Sequence, residues 1–181
     1  MPRSTQKFRR TGKKSGSARP EPPRLVLDTN VWISALLWAG PPNEILRVGE
    51  AKKVILLTTP SIIEEAREVL ARPKFAPRIA ALETTVGELV ESLLTIAEVI
   101  AEPIVEPVVA ADPDDDRVVA CATAGKARWI VSGDAHLLAL KRHKRTTILT
   151  PNEALLRLTK IGARTKHKAQ RGFRRIRTPR R

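Results

Sequence analysis

A single cysteine, Cys121, excludes an internal disulfide framework and fits a reducing compartment. Tyrosine is absent, and only three Trp and three Phe occur. Of these aromatics only Phe8 and Phe173 lie in the basic ends, so neither end resembles a platform on which single-stranded bases stack. No apolar run approaches the ~18 residues that a membrane span needs. The basic N-terminus also lacks the apolar stretch of a secretory signal, so no membrane is expected as a partner and the cytoplasm is the expected location. A Gly-rich phosphate loop is missing, as is any Ser–His–acid arrangement. His136, His143 and His167 lie near or within basic stretches and are expected at the surface.

The formal net charge of +14 is unevenly distributed over the 181 residues. Residues 1–24 hold eight Lys or Arg against one acid, and residues 157–181 hold eleven with none. Between them, 14 bases face 18 acids. Three parts are therefore expected: a basic tail over 1–23, a folded domain over 24–158 and a basic extension over 159–181. The tails have too few apolar residues to offset the ordering of their backbone. Weak, salt-sensitive contact with RNA phosphates is expected of them.

Arg24-Leu25-Val26-Leu27-Asp28 opens the domain as a short apolar run ending in an acid, with a helix predicted over Thr29–Trp38. A second helix is predicted from Pro42 to about Ala51, and a second strand over Val54–Leu57. Thr59-Pro60-Ser61 then starts a helix whose apolar face takes Glu65 on its edge, whereas Glu64 and Glu68 turn toward solvent. Helical spacing continues over Ala76–Ala97 with a break near Gly87, followed by a short strand within Glu98–Val109. Asp112-Pro113 begins another helix, on which Asp115 shares the face of Val118, Val119 and Ala122, and Asp116 is the neighbouring alternative. Trp129-Ile130-Val131-Ser132-Gly133-Asp134 repeats the opening design, with Ser132-Gly133 giving room at the turn. A last strand, Thr147–Leu149, and a final helix from Pro151 complete the pattern. Strands alternating with helices predict an α/β fold with a mainly parallel sheet covered on both sides.

Four segments thus each bring one carboxylate, Asp28, Glu65, Asp115 and Asp134, toward one edge of the sheet. Capping accounts for any one of them taken alone. Unpaired carboxylates near 4 Å apart repel by roughly 4 kcal/mol per pair at an effective dielectric of 20. A hard divalent cation, Mg²⁺ or Mn²⁺, offsets that repulsion with oxygen ligands. Such a cation activates water and balances charge on a phosphodiester, so hydrolysis of that bond is the expected chemistry.

The same residues carry a family resemblance. Leu27-Asp28-Thr29-Asn30-Val31, the Ser61–Phe75 segment, Asp112 through Asp116, and Val131-Ser132-Gly133-Asp134 resemble the motifs of PIN-domain proteins, of the kind found as toxins of toxin–antitoxin pairs. The resemblance spans about 25–156 and implies a three-layer α/β/α fold and a Mg²⁺- or Mn²⁺-dependent endoribonuclease. It implies metal-site acids at Asp28, Glu65, Asp115 and Asp134, with Asn30 nearby; Asp116 and Ser132 are lesser candidates. It also implies RNA as substrate, a homodimer and an antitoxin protein that blocks the site. The alternative is a non-catalytic RNA-binding protein with a degenerate PIN site. An aspartyl phosphatase fits less well, because Asn30 stands where a second acid is wanted.

Overall fold

A computed structural model describes residues 21–104 and 113–161, with the backbone alone at Pro113 and Asp114. Expectations for residues 1–20, 105–112 and 162–181, including the helix cap at Asp112, lie outside the described residues.

Six strands form one sheet in the order β3-β2-β1-β4-β6-β5. These are β1 (Arg24–Leu27), β2 (Ile55–Thr58), β3 (Ala97–Val99), β4 (Trp129–Val131), β5 (Arg142–His143) and β6 (Thr146–Leu149). Every pairing is parallel except that of β5 with β6. The central strands β1 and β4 are short and, Arg24 apart, apolar: Leu25, Val26, Leu27 and Ile130 are fully buried, as expected of parallel strands covered on both faces. Helices supply that cover in a three-layer α/β/α arrangement. They are α1 (Thr29–Leu37), α2 (Pro41–Glu50), α3 (Pro60–Leu70), α4 (Ala76–Ala81), α5 (Val86–Ile96), α6 (Pro113–Ala124) and α7 (Ala135–Leu140), then α8 over 151–161.

Local chemistry sets the boundaries. Asp28 caps α1 through the Asn30 amide, and Thr59 caps α3 through the Ile62 amide with Pro60 at its start. The long helical stretch breaks as expected near Gly87, at residues 82–85. A reciprocal capping box between Thr85 and Glu88 starts α5, so Gly87 sits inside its first turn. The third strand starts at Ala97, directly where α5 ends. Strand β5 carries no sequence signal, being two residues of a hairpin at the sheet edge, where polar side chains are usual.

From β1 the chain moves outward to β2 and β3, then returns to lay β4 on the other side of β1. The strand order therefore reverses between β1 and β4. At their carboxyl ends this leaves the crevice in which open α/β sheets bind ligands.

Candidate active site

Asp28 follows the last residue of β1 and faces that crevice from a buried position, 5 % exposed. Its amide donates to the Val131 carbonyl at 3.0 Å, which ties the end of β1 to the end of β4. Because Leu27 pairs with Val131, the residue opposite Asp28 is Ser132, and Asp134 comes two residues later. The Ser132 hydroxyl donates to Asp28 Oδ2 at 2.5 Å and accepts from the Asp134 amide at 2.9 Å. The other oxygen, Oδ1, accepts from the Asn30 amide at 2.7 Å. Burial pushes the Asp28 carboxyl above its ordinary range, and the Asp134 charge adds to that. Hydrogen bonds from Ser132, Asn30 and the Gly133 backbone pull the other way.

Asp134 is half-buried and caps α7, accepting from the His136 amide at 2.6 Å and the Leu137 amide at 3.3 Å. There is open space at Gly133, where a Cβ would meet nothing within 4 Å, and its φ is not left-handed, so the backbone there does not require glycine. Glu65 lies on α3, half-buried, while Glu64 and Glu68 are exposed. The Thr29 hydroxyl donates to Glu65 Oε2 at 2.8 Å, so Glu65 is tied to the residue that follows Asp28. Asp115 and Asp116 are both buried near the start of α6, which packs on β1, β2, β4 and α3. Burial therefore does not choose between them.

Asp28 and Asp134 are thus brought together through Ser132, and Glu65 is linked to the same strand end through Thr29. A tighter gathering is absent: among the described residues, no three His, Cys, Asp or Glu side chains are grouped to hold a metal ion. Part of the reason is visible in the hydrogen bonds, since Asp134 is turned onto the amides of α7 and Glu65 onto Thr29. The chemistry of the donors nonetheless suits a hard cation. Asp28 is buried, its charged form is disfavoured, and a second carboxylate acts on it.

Two neighbours escaped the sequence analysis. Thr29 is one; Glu102 is the other, whose carboxylate accepts from both the amide and the hydroxyl of Ser61 at the start of α3. Nothing in the proline-rich stretch around Glu102 signals that contact. Of the histidines, His136 is exposed and His143 half-buried; His167 lies outside the described residues.

A mostly parallel α/β sheet with a buried carboxylate at its reversal point places the chain in a class whose ligands meet the carboxyl ends of the strands. Its family is shown by sequence: the PIN domain profile matches residues 24–136, and the chain belongs to the PIN domain family. PIN domains are generally nucleases, and those nucleases generally use divalent metals. Similar proteins include MJ1680 of Methanocaldococcus jannaschii, itself uncharacterized, at 29 % identity over 119 residues. That match covers 65 % of this chain and 75 % of the relative. The crystal structure of PAE2754 from Pyrobaculum aerophilum is similar with a TM-score of 0.49 at 20 % identity, over 77 % of this chain and 91 % of that one. Among the described residues no helix is long and apolar enough to cross a membrane.

Proposed function

We propose that the chain is a metal-dependent endoribonuclease that hydrolyses RNA phosphodiester bonds. The observation that carries this is Asp28, a buried carboxylate at the sheet's reversal point that is linked to Asp134 through Ser132. Asp28 and Asp134 would hold Mg²⁺ or Mn²⁺, with Glu65 and Asp115 completing the set and Asn30 and Asp116 beside them. When bound, the ion lowers the pKa of water and balances charge on the scissile phosphate. Ser132 positions Asp28 and the Asp134 backbone, and Thr29 positions Glu65. A role as the toxin of a toxin–antitoxin pair, an antitoxin partner that blocks this edge and a homodimer follow from the motif resemblance.

A defined RNA incubated with Mn²⁺, with and without chelator, tests the proposal. Chelator-sensitive cleavage that Asp28→Asn abolishes is expected; undiminished cleavage by that variant overturns the assignment. One observation favours the alternative, an RNA-binding protein with a degenerate site: the carboxylates are not gathered in threes among the described residues. That alternative predicts salt-sensitive RNA binding with no products.

A further inference from the structure

The two edges of the sheet differ in charge. At the edge remote from Asp28, the turns entering β2, β4 and β6 carry Lys52 and Lys53, Lys126 and Arg128, and Lys144 and Arg145, all exposed. These are six of the 14 bases in residues 25–156, a region that is net negative as a whole. None of the six is in a salt bridge among the described residues; on this edge Arg24 pairs with Glu98. Across strands β2, β1, β4 and β6, at ~4.8 Å per strand, the row of turns is roughly 14 Å wide.

The backbone of these turns gives a second, independent observation. Of the five non-glycine residues with left-handed backbone among the described residues, three fall in these turns, Lys52, Lys126 and Lys144, with φ of 51°, 53° and 49°; Glu83 and Lys141 lie elsewhere. Left-handed backbone crowds any Cβ, and glycine adopts it without cost. Three turns that keep lysine where glycine would relieve strain point to a use for the charge.

The chain ends supply a third. Strand β1 begins at this edge, and the sequence that precedes it, residues 1–23, holds seven Lys or Arg. Helix α8 starts after the far end of β6 and runs back. Its Arg157 guanidinium lies 6.0 Å from the ring of Trp129, the first residue of β4. Nine further bases follow residue 161 in the sequence.

We infer that this edge is a surface that binds the phosphate backbone of single-stranded RNA, on the side of the sheet opposite the carboxylates. The choice of RNA among polyanions rests on the ribonuclease proposed above. A lipid surface fits less well. Membrane attachment needs an apolar anchor beside a basic patch, and the exposed large apolar residues, Trp38, Leu82, Leu94, Val99, Ile104 and Leu156, belong to none of these turns.

The test is fluorescence-anisotropy binding of a labelled oligouridylate to the full chain across a salt series. Chelator is present throughout, so loss of binding and loss of cleavage are separate outcomes. The triple variant Lys52→Gly/Lys126→Gly/Lys144→Gly suits the left-handed backbone and is expected to keep its melting temperature. Its affinity should fall on the order of tenfold or more, and its salt slope by about 2, at ~0.7 for each phosphate of the single strand that is no longer neutralised. Arginine at the same three positions should retain parental binding. The difference in slope is the readout, because the terminal extensions contribute a common background. Should the triple variant not fold, the three single glycine variants are read the same way. Unchanged affinity and slope overturn the inference. So does binding to phosphatidylserine vesicles that is lost in the variant while RNA binding is not.

Discussion

Ser132 donates its hydroxyl hydrogen to Asp28 Oδ2 at 2.5 Å while its oxygen accepts from the Asp134 amide, so one side chain joins carboxylate-bearing segments 106 positions apart. Both partners lie at the strand-order reversal, and the serine is fully buried. Ser132→Ala removes a hydrogen bond to a charged group and leaves the Asp134 amide without its acceptor. A loss of about 1.5–3 kcal/mol in unfolding free energy is expected from denaturant titration. Asp28 should titrate higher still, since one influence that holds its carboxyl down is gone. A serine that merely fills space would leave both measurements unchanged.

Asp28 gives the fold a pH dependence of definite sign. Its folded pKa lies above the unfolded value, chiefly through burial and then through Asp134. Its protonation therefore favours the fold. That contribution is complete below the ordinary carboxylate range and is lost as pH rises through the folded pKa. Asp28→Asn removes the disfavoured charge and keeps a good helix cap, so the variant should melt above the parent at neutral pH in chelator. The gap should close on acidification. A variant that melts below the parent at neutral pH contradicts this assignment of the shift to burial.

Thr29 has no capping role that explains its burial, and its hydroxyl is spent on Glu65. Thr29→Val should cost about 1–2 kcal/mol by leaving Glu65 without that donor, whereas Thr29→Ser keeps the donor and should cost less, about 0.8 kcal/mol for the buried methyl group. Comparing urea midpoints of the two variants separates the hydroxyl from the methyl group. A loss in Thr29→Ser with none in Thr29→Val would assign the residue to packing alone.

Cys121 has no exposed surface, and its thiol is pushed up to about 12 by burial, with the Glu102 charge adding to it. Since the thiolate is the reactive form, the folded chain should resist iodoacetamide at mildly alkaline pH and react only once unfolded. Mass spectrometry reads the added carbamidomethyl group. Rapid labelling of the native chain would refute the buried placement.

Much of this arrangement was legible in the residues. Asp28 could be read because a short apolar strand ends on it and a helix follows. The orientation of Glu65 followed from helical spacing, which separates it from Glu64 and Glu68. Asp134 was harder. Its strand–turn–helix pattern matches that of Asp28, yet β4 ends at Val131, and the ladder sets Ser132 opposite Asp28 instead. That shift depends on strand register, which local pattern does not determine. The hydrogen bonds of Thr29 with Glu65 and of Glu102 with Ser61 join residues 36 and 41 positions apart, and no periodicity encodes them. The choice between Asp115 and Asp116 stayed open because both sit on the inward side of α6 and both are buried.

In the proposed function, everything depends on Asp28 anchoring a divalent-cation site at the reversal point of the sheet. Electron paramagnetic resonance of Mn²⁺ titrated into the parent and into Asp28→Asn, both checked for native melting, tests this most directly. Saturable Mn²⁺ uptake by the parent that the variant loses is the predicted result. Equal uptake by both chains, or none by a parent that still cleaves RNA, would contradict it.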